Sequence, residues 1–223
     1  GSLTLDDSTV QSSDTFSGTF QVDDDTTDVQ LVVETGTPDD TYQSSSETTM
    51  TVTASEITGT NTDISFSGLA VQDGASGSVE VDAVQQSTAL SDGNSYTAGD
   101  TTSATVDDSA PSASITNPSN NAEVSSQGTI EGDASDTETS VSSVSLTITD
   151  SNGDTWDDSQ SSFTSTSTSI EVATSGGTWS HSNVPTSDGV YDVQATATDA
   201  AGNTGTSSTV TYTIDSQAPS TSV

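Results

Sequence analysis

"YDVQATATDAAGNTGTSSTVTYTID" occupies Tyr191–Asp215. Its apolar residues fall at every second place: Tyr191, Val193, Ala195 and Ala197, and then Val210, Tyr212 and Ile214. Such alternation marks strands buried on one face only. The places between are mostly Thr, which suits a pleated surface. "DAAGN", Asp199–Asn203, interrupts the pattern. Asp and Asn side chains bond backbone groups in turns, and Gly202 tolerates positive φ. The stretch reads as two strands joined by a turn.

The same alternation recurs along the chain, at Val29, Leu31, Val33; Ile64, Phe66; Val79, Val81, Ala83; and Val144, Leu146, Ile148. No stretch carries a helical stripe. Leu, Ile, Val and Phe make up only 37 of 223 residues, below the roughly 20% that warns of a coreless, disordered chain. The alternation argues against disorder and for an all-β protein with a thin core. In the second half, strands are expected near 112–116, 127–132, 141–149, 154–158, 168–173, 190–199 and 206–214. Short strands at this spacing indicate an immunoglobulin-like sandwich.

"TVDDSAPSASI" at 105–115 returns as "TIDSQAPSTSV" at 213–223, beginning 108 residues later. That offset is the size of one β-sandwich domain. "GTFQVDD" at Gly18–Asp24 pairs more weakly with "GTIEGDA" at Gly128–Ala134. The expected organisation is two tandem domains, 1–107 and 108–215. Residues 216–223 then open a further repeat, or form a strand given to a neighbouring subunit. The Ala-Pro pairs suit boundaries, because Pro cannot donate to a ladder and stiffens a linker.

Charge narrows the function. The chain holds 34 Asp and Glu, one His and no Lys or Arg, a formal charge of -34. At low salt this self-repulsion opposes compaction; at molar salt the Debye length is about 3 Å and the repulsion fades. The chain reads as that of an extreme halophile. Nucleic acid is excluded, since nothing can neutralise phosphates, and anionic membranes are disfavoured likewise. No run is long and apolar enough to suggest direct membrane insertion. Cys is absent, so there are no disulfides and no thiolate metal sites.

"GTWSHSNVPTSDGVYDVQATATDAAGNTGTSSTVTYTIDSQAP", Gly177–Pro219, resembles the C-terminal half of the Ig-like repeats of large bacterial and archaeal surface proteins and adhesins. The shared pattern is Trp179, Asp188-Gly189, Tyr191, "DAAGN", and an alternating strand closing on Asp215 and Ala218-Pro219. The first domain matches only at "SDGNSY", Ser91–Tyr96, and "TVDDSAP", Thr105–Pro111; it lacks "DAAGN" and Trp. The resemblance implies an extracellular or cell-surface location, of haloarchaeal type, and a role in architecture or adhesion. It also implies calcium at domain junctions.

The acids offer places for such a cation. Asp23-Asp24-Asp25 and Asp133, Asp136, Glu138 fall at matching positions of the two domains; Asp107-Asp108 lies on the boundary, with Asp215 as its counterpart. Asp199 and Asn203 flank the "DAAGN" turn. Calcium takes six to eight oxygen ligands, and Asp107, Asp108, Asp133, Asp136, Asp199, Asn203 and Asp215 are the candidates. A solvated acidic surface is the competing reading. "DSNGD", Asp150–Asp154, lacks the spacing of a calcium loop and reads as a hairpin with a type I′ turn at Asn152-Gly153.

His181 stands alone, with no arrangement that indicates a catalytic triad, and no phosphate loop or Cys/His set is present, so no enzyme is expected. Trp156 and Trp179 read as core aromatics, with a platform for surface glycans as the alternative. Three functions follow: a stalk or adhesive module whose partners are neighbouring repeats; a filament protomer joined to copies of itself through Ser216, Ala218, Pro219 and Val223 by strand addition; or a carbohydrate-binding module. The charge generates the first test. Dialysis from molar to low salt is expected to unfold the chain, and an unchanged circular dichroism spectrum would refute the halophilic reading.

Overall fold

The computed structural model describes residues 3–22, 26–35, 48–53, 62–71, 76–87 and 101–220. They fall into two compact units, Gly1–Asp108 and Ser109–Val223. Among the described residues every helix-or-strand element is a strand.

The first unit contains β1 (Leu3–Leu5), β2 (Thr9–Val10), β3 (Thr15–Val22), β4 (Thr26–Thr35), β5 (Thr48–Thr53), β6 (Thr62–Ala70), β7 (Gly77–Ser87) and β8 (Thr101–Val106). They form one sheet in the order β1-β3-β6 and another in the order β2-β8-β7-β4-β5. Phe16, Phe20, Ile64, Phe66 and Leu69 of the first sheet share a core with Val79, Val81, Ala83, Ala104 and Val106 of the second. This is the alternation of the sequence realised as a two-sheet sandwich. The expected acidic cluster at Asp23–Asp25 and the "SDGNSY" stretch lie outside the described residues.

The second unit contains β9 (Ser112–Asn117), β10 (Ala122–Val124), β11 (Ile130–Ser135), β12 (Val141–Asp150), β13 (Thr155–Asp157), β14 (Ser162–Thr164), β15 (Ile170–Val172), β16 (Thr174–Ser175), β17 (Thr178–His181), β18 (Gly189–Asp199), β19 (Thr204–Thr206) and β20 (Val210–Ile214). One sheet runs β16-β17-β11-β9; the other runs β10-β20-β18-β12-β13-β14, with β15 on β12 and β19 on β18. β18 pairs β20 over its first half and β19 over its second. The expected single strand at 206–214 is therefore broken. At the break Ser207 stands in for the ladder: its N–H donates to the Ala195 carbonyl (2.8 Å) and its hydroxyl accepts from the Ala195 N–H (3.0 Å). The strand expected at 127–132 starts later, at Ile130, because Gln127 turns its amide onto the Thr129 carbonyl and Asn117 bonds the same oxygen.

A file of rings fills this core. Trp156 meets Phe163 edge-on at 5.2 Å, Phe163 stacks on Tyr191 at 5.5 Å, and Tyr191 tilts against Tyr212 at 5.5 Å. Ile130, Leu146, Ile148, Val193 and Ile214 close around it. Aromatics supply large area where aliphatic side chains are scarce.

Both units begin alike. The opening strand pairs antiparallel in one sheet, β1 on β3 and β9 on β11; the next strand crosses to the other sheet and pairs parallel with the last, β2 on β8 and β10 on β20. Val10 faces Val106 as Val124 faces Ile214. One residue on, the Asp107 N–H donates to the Val10 carbonyl and the Asp215 N–H to the Val124 carbonyl, each at 2.9 Å. The weaker match is displaced. Gly18 has its structural counterpart in Gly132, not Gly128, since a Cβ on either would strike a carbonyl of the opening strand, that of Thr4 or of Ser114. Gly128 lies exposed before β11 with nothing in that direction.

Gly132 also lies beneath the Trp179 ring. Gly132→Ala is expected to cost about 1–3 kcal/mol through overpacking, read as a lower denaturant midpoint in molar salt. An unchanged midpoint would show that strand and ring can yield.

Candidate functional site

The acids are held by turns. At Asp199–Asn203 the Asp199 carboxylate accepts the Asn203 N–H and the Asn203 side-chain amide, each at 2.9 Å, while the Asp199 N–H donates to the Asn203 carbonyl. Gly202 takes φ 91°. The same construction stands at Asp150–Asp154. The Asp150 carboxylate accepts the N–H of Asn152 and of Asp154, each at 2.9 Å, the Asp150 N–H donates to the Asp154 carbonyl, and Gly153 takes φ 86°. The expected hairpin is present but its turn type is corrected. Asn152 is not among the residues with positive φ, so the type I′ geometry is not formed. The Gly153 N–H reaches back to the Asp150 carbonyl, and only the glycine needs the left-handed region.

Asp136 caps the loop before β12. Its carboxylate accepts the N–H of Thr139 (2.8 Å) and of Glu138 (2.9 Å). The Thr139 N–H is the main reason its carboxyl sits below the ordinary range. Asp136 and Asp199 bring carboxylate oxygens within 4.8 Å of each other in the second unit. The other candidates are placed differently. Asp133 is exposed on β11, two residues from Glu131 on the same face, beside an open groove of about 360 Å³ that Thr116, Ser175 and Ser180 also line. Asp215 is exposed and accepts the Gln217 N–H. In the first unit Asp107 is buried, and Asp108 accepts the Ser12 N–H at 2.8 Å.

Ser216–Ser220 carry no sheet pairing within the chain. Val223 lies outside the described residues. Ala218 and Pro219 are exposed. What fixes the chain here is a residue that sequence reading left without a role. Asp188 accepts the Ser216 N–H (2.9 Å) and the Gln217 side-chain amide (3.1 Å). Asp188-Gly189 was part of the quoted pattern, and that was its signal. Tyr191 was another: its hydroxyl donates to the Ser187 carbonyl at 2.8 Å, the corner that closes a Greek-key sandwich.

Neither Trp offers a platform. Trp156 is 7% exposed and donates its indole N–H to the Asn183 carbonyl at 2.9 Å; Trp179 is 3% exposed. Both are core residues. His181 packs at the end of β17 with its Nε2 2.9 Å from Asp158.

Residues 114–216 match the family model of the bacterial Ig-like domain. Among solved structures the chain is similar to an engineered protein at 26% identity and TM-score 0.35, covering 50% of this chain and 21% of that one. It is similar to fibronectin(III)-like modules of Clostridium thermocellum CbhA at 13% identity and TM-score 0.42, covering 96% and 94%. Chicken CNTN1 domains FN1–FN3 align at 11% identity and TM-score 0.42, covering 96% and 66%. No curated protein matches the chain. The second unit is an Ig-like β-sandwich.

Among the described residues, five carboxyls lie below their ordinary range. Ser12 lowers Asp108, Thr139 and Glu138 lower Asp136, Ser159 and Gln160 lower Asp157, and Ser216 and Gln217 lower Asp188. At Asp150 desolvation pushes the carboxyl up, but the N–H groups of Asp154, Asn152 and Gly153 together outweigh it. A carboxyl depressed on folding contributes stability above its unfolded value, lost as pH falls through the folded one. In molar salt, where long-range repulsion is screened, stability is expected to fall as pH drops below the unfolded value of 3.8. A thermal midpoint that stays level or rises from pH 5 to 2.5 would contradict this.

Proposed function

We propose that the chain is a non-catalytic structural or adhesive module of a secreted or cell-surface protein of an extreme halophile, its Ig-like domains arranged as a stalk. The carrying observation is the pairing of two β-sandwich units, one with an Ig-like family match, with 34 acids and no Lys or Arg. A surface of carboxylates, Ser and Thr binds water strongly and keeps a domain soluble in brine. Mechanically, a sandwich resists extension through its ladders, and the parallel pairing of β10 on β20 ties each end of the second unit to the other. Neighbouring repeats are the proposed partners.

Calcium is the proposed ion. Asp136 and Asp199 offer oxygens at the same end of the second unit. Asp107 and Asp108 are the last residues of the first unit. A filament protomer is the second reading, favoured by Ala218–Ser220, which are exposed and paired to no strand and which strand addition could use.

Light scattering in molar salt with calcium, on the full chain and on one lacking residues 216–223, separates these readings. The stalk reading expects a monomer in both. Polymers that disappear with the deletion would replace it with the filament. In the same samples the unfolding midpoint is expected to rise with calcium concentration by mass action; a flat midpoint removes the ion from the proposal.

A further inference from the structure

Asn152-Gly153 is the one Asn-Gly pair in the sequence; every other asparagine precedes a residue that carries a side chain. Ser151, Asn152 and Gly153 are exposed at the tip of the β12–β13 hairpin, and nothing lies where a Cβ on Gly153 would point. A backbone nitrogen without steric cover therefore follows a side-chain amide. That pairing lets an asparagine close on its own main chain.

The turn governs the closure, because Asp150 holds both reacting groups. Its Oδ2 accepts the Asn152 side-chain amide at 3.0 Å, and its carbonyl accepts the Gly153 N–H at 3.0 Å. Its Oδ1 accepts the N–H groups of Asn152 and Asp154, each at 2.9 Å, so the carboxylate is anchored in place. Amide and nucleophile are directed at Asp150 and not at each other. Closure also needs the Gly153 nitrogen as an anion, and a carboxylate beside it disfavours further negative charge.

We propose that Asn152 is a site of spontaneous deamidation whose rate Asp150 sets. Hydroxide takes the Gly153 N–H proton, the nitrogen bonds to Asn152 Cγ, and the Cγ–Nδ2 bond breaks. Nδ2 leaves as ammonia, its third proton coming from water. A second water opens the cyclic imide. Attack at Cγ restores the ordinary chain with an acid at 152, and attack at the main-chain carbonyl leaves the chain running through the side chain. Either product sets a carboxylate where an amide faced Asp150 Oδ2, and two carboxylates repel at that distance. The conversion thus removes the bond that restrained it. The ladder between β12 and β13 pairs Thr149 with Thr155 directly behind the turn, so loss of the cap reaches the strand that carries Trp156.

The test incubates the full chain at mildly alkaline pH in molar sodium chloride, folded and in urea. The fragment Thr147–Trp156, released by chymotrypsin, is followed by mass for conversion of amide to acid. Asn152 is expected to convert in both, about tenfold or more slowly in the folded chain, where the turn must first open. Asp150→Asn keeps a side-chain oxygen for the N–H groups of Asn152 and Asp154 but removes the acceptor of the Asn152 amide. It is expected to bring the folded rate towards the rate in urea. No conversion in urea, equal rates in the folded and unfolded chain, or a folded rate that Asp150→Asn leaves unchanged overturns the proposal. If Asp150→Asn fails to fold, the comparison of folded and unfolded natural chain still decides the rate, and Asn152→Asp decides the consequence. Its denaturant midpoint in molar salt is expected to fall, and an unchanged midpoint refutes the clash with Asp150.

Discussion

A chain with 34 carboxylates and neither ammonium nor guanidinium cannot settle its charges by ion pairs in the ordinary way. Each acid that is held must be held by N–H, by O–H or by water. The structure shows how this is done. Asp14 accepts the Gln11 N–H, Asp7 the Thr9 N–H, Asp6 the Ser17 hydroxyl and Asp192 the Thr211 hydroxyl. The partners of Asp136, Asp150, Asp157, Asp188 and Asp199 are of the same kinds. The constraint accounts for the choice of acid. Of the 34, 26 are Asp, whose short side chain reaches back to amides two to four residues along the chain. The longer arm of Glu serves that purpose less well.

The same constraint thins the core. Where Ser and Thr are needed to solvate and to donate, fewer positions remain for large apolar side chains. In the second unit the deficit is met unevenly. β18 carries Tyr191 at one end and tapers through Val193 to Ala195 and Ala197, all buried. The ring file fills the wide end. At the narrow end backbone replaces side chain: a Cβ on Gly205 would strike the Pro111 carbonyl, and the Ser207 hydroxyl serves as a ladder acceptor. Gly132 under Trp179 is the opposite sheet's version of this close approach. A core poor in volume is closed by bringing backbones together.

This bears on what could be read from sequence. Alternation identified β12, β18 and β20 and the inward set on them, because burial on one face imposes a period that survives any particular side chain. The turn at "DAAGN" was readable for the same kind of reason, since Asp, Gly and Asn have distinct backbone uses. The Asn152 geometry was not, because Asn-Gly serves two turn types and the Asp150 carboxylate decides between them by capping the N–H groups of Asn152 and Asp154. Short elements such as β10 and β16 carry no periodicity of their own; the strands beside them define them. The closeness of Asp136 to Asp199 depends on two loops far apart in sequence. The roles of Asp188 and of Asn183 depend equally on what the chain brings to them.

The two sequence matches differ in meaning for a related reason. "TVDDSAP" and "TIDSQAP" align at the station where the second strand pairs parallel with the last, and Asp107 and Asp215 donate their N–H groups to the corresponding carbonyls of Val10 and Val124. Hydrogen-bond geometry fixes that station residue by residue, so an ungapped offset of 108 residues is also a structural equivalence. "GTFQVDD" and "GTIEGDA" were aligned on Gly18 and Gly128, whereas the glycine that must admit the opening strand in the second unit is Gly132. There the requirement is an absence of side-chain volume at one point on a strand, and the loops leading to it are free to change length. Sequence similarity therefore registers a hydrogen-bonded junction more faithfully than it registers a packing site, even when both serve the same architecture.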